Sequence, residues 1–411
     1  MSRILAVALG VVTAIGGYLD MGEVVSLPAL GATYGFGLLW VLVVGTVGAM
    51  VFAEMAGRIE LTSKRTVLDL VRERLGVRVG FVTLCAGLLV NALTLVAEIA
   101  GLAFVLELVF GPGYLWFVPG VACGLLIFTV FGNWTLIENV PSFVGLAMLV
   151  VLFAILTGAE FQIDWGEVAH RVVDPQNPKQ DHWLYVAGVF AILGATMSPY
   201  EWYFYSSGGR EEGWTVRDKT VNRATAFIGF GLGATLAFSL MIGAAALFSE
   251  RGITPSHLGQ TGLLAVSAFG QAGSWVFLLG VFGCVLGAAC EVSLSSAQAV
   301  SQFFGWPWGA SEKPRAVPGY TIVTIAVTVV ATMILLAGFD PIKVTVVALI
   351  FAAAALPLTF YPMLIVGRDP HYVGESTNGL IATTLGWLYF AVFVAIALAA
   401  LPVVVITGGA L

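Results

Sequence analysis

GYLDMGE, residues 17–23, interrupts a run from Ile4 to Ala53 that holds no other Asp, Glu, Lys or Arg. It puts Asp20 and Glu23 where a hydrocarbon-spanning helix should carry no charge, beside Gly22, a residue that weakens helix continuity. A charged side chain at the bilayer centre costs about 2.5–3.5 kcal/mol even on the gentlest scale, so it needs a partner or an aqueous cavity. A second break, Ser198-Pro199-Tyr200-Glu201, repeats the pattern 178 residues later, and in both an oxygen-bearing residue precedes a glutamate by three. Gly22 and Pro199 free backbone carbonyls to face such a cavity, as in the broken helices of secondary transporters. One break in each half of the chain points to a substrate site for a cation.

Composition places the chain in a membrane. Of 411 residues, 59% are hydrophobic and only 10% charged, with mean hydropathy +0.96. A span needs about 20 apolar residues. The sequence predicts eleven, at about 4–30, 36–57, 79–108, 115–132, 140–159, 183–207, 224–248, 274–304, 319–338, 343–366 and 379–409. With the N-terminus cytoplasmic, 14 of the 18 Lys and Arg fall in inside loops, leaving Arg171, Lys179, Arg251 and Lys343 outside. The positive-inside rule selects this multi-pass topology, and an odd span number puts the C-terminus outside. Residues 62–78, basic and amphipathic, read as a short interfacial helix.

Five spans separate the two breaks, so the second unit enters the membrane from the opposite side. That is an inverted repeat of five helices, about 1–160 against 183–367, with the eleventh helix (379–409) outside it and a single transmembrane domain over 1–411. Residues 1–19 read as the start of the first span rather than a cleaved signal peptide, because Asp20 follows directly and the apolar pattern continues. The four cysteines lie in spans without a CxxC, and the four histidines in loops or at span ends. Neither set makes a disulfide or zinc framework. No cofactor, nucleic acid or obligatory protein partner is expected, and the net charge of −6 carries no inference about partners.

Several long motifs resemble the natural resistance-associated macrophage protein (NRAMP) family. GYLDMGE (17–23) and YGFGLLWVLVVGTVGAMVFAEMAGRIELTSKRTVLDLVRERLG (34–76) are similar to the family's GYxDPGN break and the segments after it. ALTLVAEIAGLAFVLELVFG (92–111) and GATMSPYEWYFYSS (194–207) resemble its third and sixth spans. The resemblance implies an all-α, LeuT-like transporter of divalent transition metals, usually manganese or iron and often proton-driven, with the metal as substrate. Carried over residue by residue, it keeps the metal-ligating aspartate as Asp20, puts Glu23 at the ligand asparagine, the carbonyl donor at Ala195 and Ser198 at the ligand methionine.

These departures change the chemistry. A hydroxyl in place of a thioether and a carboxylate in place of an amide leave an all-oxygen, more anionic site, suited to hard cations such as Mg²⁺, Ca²⁺ and Mn²⁺. Met197 adjoins Ser198, but one residue turns a helix by about 100°, so its sulfur does not simply substitute. Where the family has a sixth-span histidine this chain has Tyr200, and where it has the third-span aspartate, Leu95. Glu98 is kept, the ninth span has no basic residue, and Ala355 stands at a frequent ligand glutamine. A magnesium-transporting branch of the family lacks the same methionine and proton relay.

The expected site is therefore Asp20, Glu23, Ala195, Ser198 and Glu201 around a divalent cation. Glu98, Tyr200 and Glu291 are candidates for proton handling or for supporting the ligands. Glu54 and Glu138 are expected to reach cytoplasmic water, and Glu107 the outer interface. The function expected is alternating-access transport of Mg²⁺ or Mn²⁺ without strict proton coupling. The rivals are an organic-cation or amine carrier on the same fold, a proton-coupled Mn²⁺/Fe²⁺ transporter, and a non-transporting sensor or scaffold.

Overall fold

The computed structural model describes residues 3–177, 181–249 and 251–409, so Lys179 of the charge count lies outside the described residues. Every regular element among the described residues is helical. The α-helices in chain order are α1 (Arg3–Gly16), α2 (Met21–Tyr34), α3 (Leu39–Ser63), α4 (Val67–Phe110), α5 (Val118–Phe131), α6 (Trp134–Gly145), α7 (Leu149–Thr157), α8 (Trp165–Val173) and α9 (His182–Thr196). They continue with α10 (Pro199–Glu211), α11 (Lys219–Ala224), α12 (Phe230–Ala244), α13 (Leu258–Thr261), α14 (Leu263–Phe304), α15 (Pro318–Leu336), α16 (Pro341–Val366), α17 (Pro370–Val373) and α18 (Leu380–Thr407).

Nine helical stretches among the described residues are long and apolar enough to cross a bilayer, and the pair α1–α2, bent by 57°, makes a tenth. The shorter apolar α5 occupies the fourth expected span. The interfacial helix expected within 62–78 is the first part of α4, which turns into its span at Gly76. There φ is +84°, a conformation that glycine adopts without strain.

α14 and α4 pack along each other at the centre, with α6 and α10 on α14, and α9 and α18 on α16. Two close approaches fix where the breaks lie. A Cβ added at Gly16 would sit 1.8 Å from the Ser142 carbonyl oxygen, and one at Gly145 would sit 2.1 Å from that of Gly16. The end of α1 therefore runs backbone to backbone over α6, as small residues allow in lipid. At the second break, a Cβ at Gly194 would meet the Leu349 carbonyl oxygen at 1.9 Å, which seats α9 directly on α16.

Candidate cation site at the two helix breaks

The first break is a helix N-terminus built inside the membrane. Asp20 caps α2, accepting from the Glu23 amide at 2.8 Å, while Glu23 Oε2 accepts from the Asp20 amide at 3.3 Å. This reciprocal capping box satisfies two of the amides that begin any helix. Glu98, fully buried on α4, reaches the same terminus, both of its oxygens lying 3.3 Å from the Met21 amide. Three carboxylates thus converge on the positive end of α2, where the helix dipole favours negative charge.

The second break uses the same device. Glu201 Oε1 accepts from the Ser198 amide at 3.2 Å, and Pro199 opens α10 at a position where its missing N–H costs nothing. The Ser198 hydroxyl donates to the Gly194 carbonyl at 2.7 Å. Pro199 has no N–H for the Ala195 carbonyl four residues back, so that oxygen is released from the helix ladder.

The breaks meet at Tyr200, whose Oη donates to Asp20 Oδ2 at 3.3 Å. Beside them lies a cavity of about 130 Å³. Asp20, Glu23, Ala195, Tyr200, Glu201 and Glu291 all line it. The cavity runs from Asp20 toward Glu138 at the start of α6. Glu23 Oε1 is buried and has no hydrogen-bond partner. A buried carboxylate oxygen left without a donor is costly, so it calls for a cation or water. Ser198 and Glu98 do not line the cavity.

Among the described residues no Met or Cys lines the cavity. Met197 is fully buried and its Sδ lies 2.5 Å from the position a Cβ on Gly48 would take, so the thioether packs on α3. Among the described residues no three His, Cys, Asp or Glu are grouped as a ready-made metal cage. Four of the carboxylate oxygens at the breaks are engaged: Asp20 Oδ1, Glu23 Oε2 and Glu201 Oε1 with backbone amides and Asp20 Oδ2 with Tyr200.

The other acids singled out fall in three places. Glu138, expected in cytoplasmic water, lines the same cavity as Asp20, and so does Tyr18, which the sequence reading had not singled out. An acid one turn into an apolar span was the available signal for Glu138. Glu54 is largely buried, held 3.0 Å from Arg58 at the wall of a second cavity. Glu107 lines a further cavity together with His257. Tyr203 and Tyr205 of α10 bond to Thr359 and Asn222.

Ten apolar spans among the described residues, counting the bent α1–α2 pair as one, with the shorter apolar α5 and two capped breaks on one carboxylate-lined cavity, define a membrane transporter of the broken-helix type rather than an enzyme. The family model described as natural resistance-associated macrophage protein-like matches residues 10–402, and the chain belongs to that family. The divalent metal cation transporter MntH of Erwinia tasmaniensis is 26% identical over 395 residues, covering 92% of this chain and 90% of that protein. The crystal structure of the Eremococcus coleocola manganese transporter in complex with an aromatic bis-isothiourea compound superposes with a TM-score of 0.75 at 19% identity, over 98% of this chain and 87% of that one. The nucleobase-cation-symport-1 transporter Mhp1, closed around bromovinylhydantoin, follows at 0.63 and 14%, covering 96% and 91%. The fold is all-helical and LeuT-like, with the first span broken between α1 and α2 and the sixth between α9 and α10.

Proposed function

We propose that the protein moves a hard divalent cation, Mg²⁺ or Mn²⁺, across the cell membrane by alternating access and without strict proton coupling. Its relatives by name carry divalent metal and manganese. The observation that carries the reading is the buried, unpartnered Glu23 Oε1 in a cavity shared by Asp20, Glu201 and Ala195, with the neighbouring sulfur turned away. Oxygen-only donors of this charge suit Mg²⁺ and Mn²⁺ over softer ions.

In this reading Asp20 is the central ligand. Glu23, Glu201 and the freed Ala195 carbonyl complete the shell, and Ser198 holds the second break through Gly194. Glu291 and Glu138 draw the cation along the cavity, toward the cytoplasm if the N-terminus is inside. Inward movement of two charges gains about 4.6 kcal/mol per 100 mV, so influx needs no proton partner.

Tyr18, Tyr200, Phe204, Tyr205 and Phe230 also line the cavity, which favours the organic-cation reading, since aromatic faces attract an ammonium group. One experiment separates the two. Proteoliposomes are assayed for uptake of Mn²⁺, Mg²⁺, Ca²⁺ and small amines, beside an Asp20→Asn control. Metal uptake lost in the control supports the proposal, and uptake of amines alone overturns it.

A further inference from the structure

The face that bears most of the basic residues holds another cavity, of about 1040 Å³, between α3, the start of the seventh span and the first turn of α18. Its polar end carries Arg58, Lys219 and Arg223 against Glu54 and Glu375. Glu54 is committed to Arg58 at 3.0 Å and is only 3.7 Å from Arg223. The rest of the Arg58 guanidinium is held by the Ser376 carbonyl and Asn378 Oδ1. Lys219 donates to the Ser376 hydroxyl, and the Arg223 side chain is 66% exposed. Three cations therefore face two carboxylates. Gly379, which precedes α18, gives that 28-residue helix no side-chain cap, so its first amides add to the positive end.

The remaining wall is apolar. Val47, Met50, Val51, Phe227 and Leu385 run from the basic end along the spans. Val47, Phe227, Leu380 and Ile381 are exposed at its surface. A soluble anion has no use for such a wall, and a neutral lipid has none for the cations. Basic pockets between spans on the cytoplasmic side match anionic headgroups.

We propose that this groove binds one anionic phospholipid. Its phosphate sits between Lys219, Arg223 and the first turn of α18, and an acyl chain lies along Val47, Val51 and Phe227. The lipid then ties the last helix to α3 and the seventh span.

The test uses delipidated full-length protein in detergent, titrated separately with phosphatidylglycerol, phosphatidylcholine and inorganic phosphate. Bound lipid is counted by native mass spectrometry and the thermal midpoint is followed. Phosphatidylglycerol is expected to bind at least tenfold more tightly than phosphatidylcholine and to raise the midpoint, whereas phosphate alone leaves it unmoved. Lys219→Gln with Arg223→Gln should cost at least fivefold in phosphatidylglycerol affinity, and Lys219→Arg with Arg223→Lys should keep it. If the neutral pair fails to fold, Arg223→Gln alone, at an exposed side chain, decides with a loss of at least threefold. Equal binding of the two lipids, wild-type affinity in Arg223→Gln, or a midpoint shift reproduced by phosphate would overturn the proposal.

Discussion

Tyr200 and Asp20, 180 positions apart, are joined by a hydrogen bond of 3.3 Å from the phenol to Asp20 Oδ2. It links the two breaks directly and occupies the carboxylate oxygen that a cation would claim. A bond to a charged group is worth about 1.5–3 kcal/mol. Tyr200→Phe removes stabilisation from the ion-free state, so Mn²⁺ is expected to bind roughly tenfold more tightly by calorimetry. Unchanged or weaker binding would mean that the phenol stays on Asp20, or on the ion, in the bound state.

Asp20→Asn tests the central ligand with little disturbance of the helix start. Asn is as good an N-cap as Asp, so the bond from the Glu23 amide should persist and the protein should remain folded. Metal binding should fall below detection while thermal stability changes by about 1 kcal/mol or less. Wild-type uptake by this variant would remove Asp20 from the site.

Glu23 and Ser198 are expected to part company. Glu23 Oε1 is buried without a partner beside the cavity, whereas the Ser198 hydroxyl is spent on Gly194 and does not line it. Glu23→Gln should weaken Mn²⁺ binding by tenfold or more, since roughly 1.4 kcal/mol of lost ion–carboxylate attraction suffices for that. Ser198→Ala should leave the affinity within about twofold and reduce stability by about 1 kcal/mol through the lost bond. The reverse ranking would place the ion at the hydroxyl.

The breaks were legible because charge inside an apolar run has few physical readings, and the spans because hydrocarbon thickness sets their length. Asp20-x-x-Glu23 and Ser198-x-x-Glu201 also match a helix-capping pattern, so residue types alone do not separate a cap from a ligand. Both glutamates cap, and only the cavity and the unpartnered Glu23 oxygen show what capping leaves free. The direction of Met197 depends on Gly48, 149 positions away, and the place of Glu138 depends on how α1 crosses α6 at Gly16 and Gly145. Such facts arise from helix packing, to which local periodicity is blind.

That crossing makes a stability prediction. Gly16→Val would drive a branched side chain into the Ser142 carbonyl, 1.8 Å from its Cβ, with backbone rather than a flexible side chain in the way. Overpacking of this kind costs about 1–3 kcal/mol and occasionally more. The variant should give little monodisperse protein by size-exclusion chromatography, whereas Gly120→Ala, with open space around its Cβ, should behave as wild type. Normal yield and melting of Gly16→Val would show that α1 does not lie against α6 as described.

Metal influx should proceed without matching acidification of the vesicle lumen. Tyr200, at the sixth break, offers a phenol rather than an imidazole, and α15 contains neither Arg nor Lys. Of the acids that could serve a relay, Glu23, Glu201 and Glu291 line the cavity, where a divalent cation keeps them ionised, and Glu98 has both oxygens facing the Met21 amide and does not line it. A proton on Glu98 would remove negative charge from the positive end of α2, so the cap opposes that step. In proteoliposomes carrying a lumenal pH dye, Mn²⁺ uptake driven by membrane potential should therefore leave the dye unchanged, and a pH gradient alone should drive little accumulation. Glu98→Gln should alter stability through the weakened cap more than it alters the uptake rate per folded molecule. Metal-dependent lumenal acidification that disappears in Glu98→Gln would reverse this conclusion and make Glu98 the proton carrier.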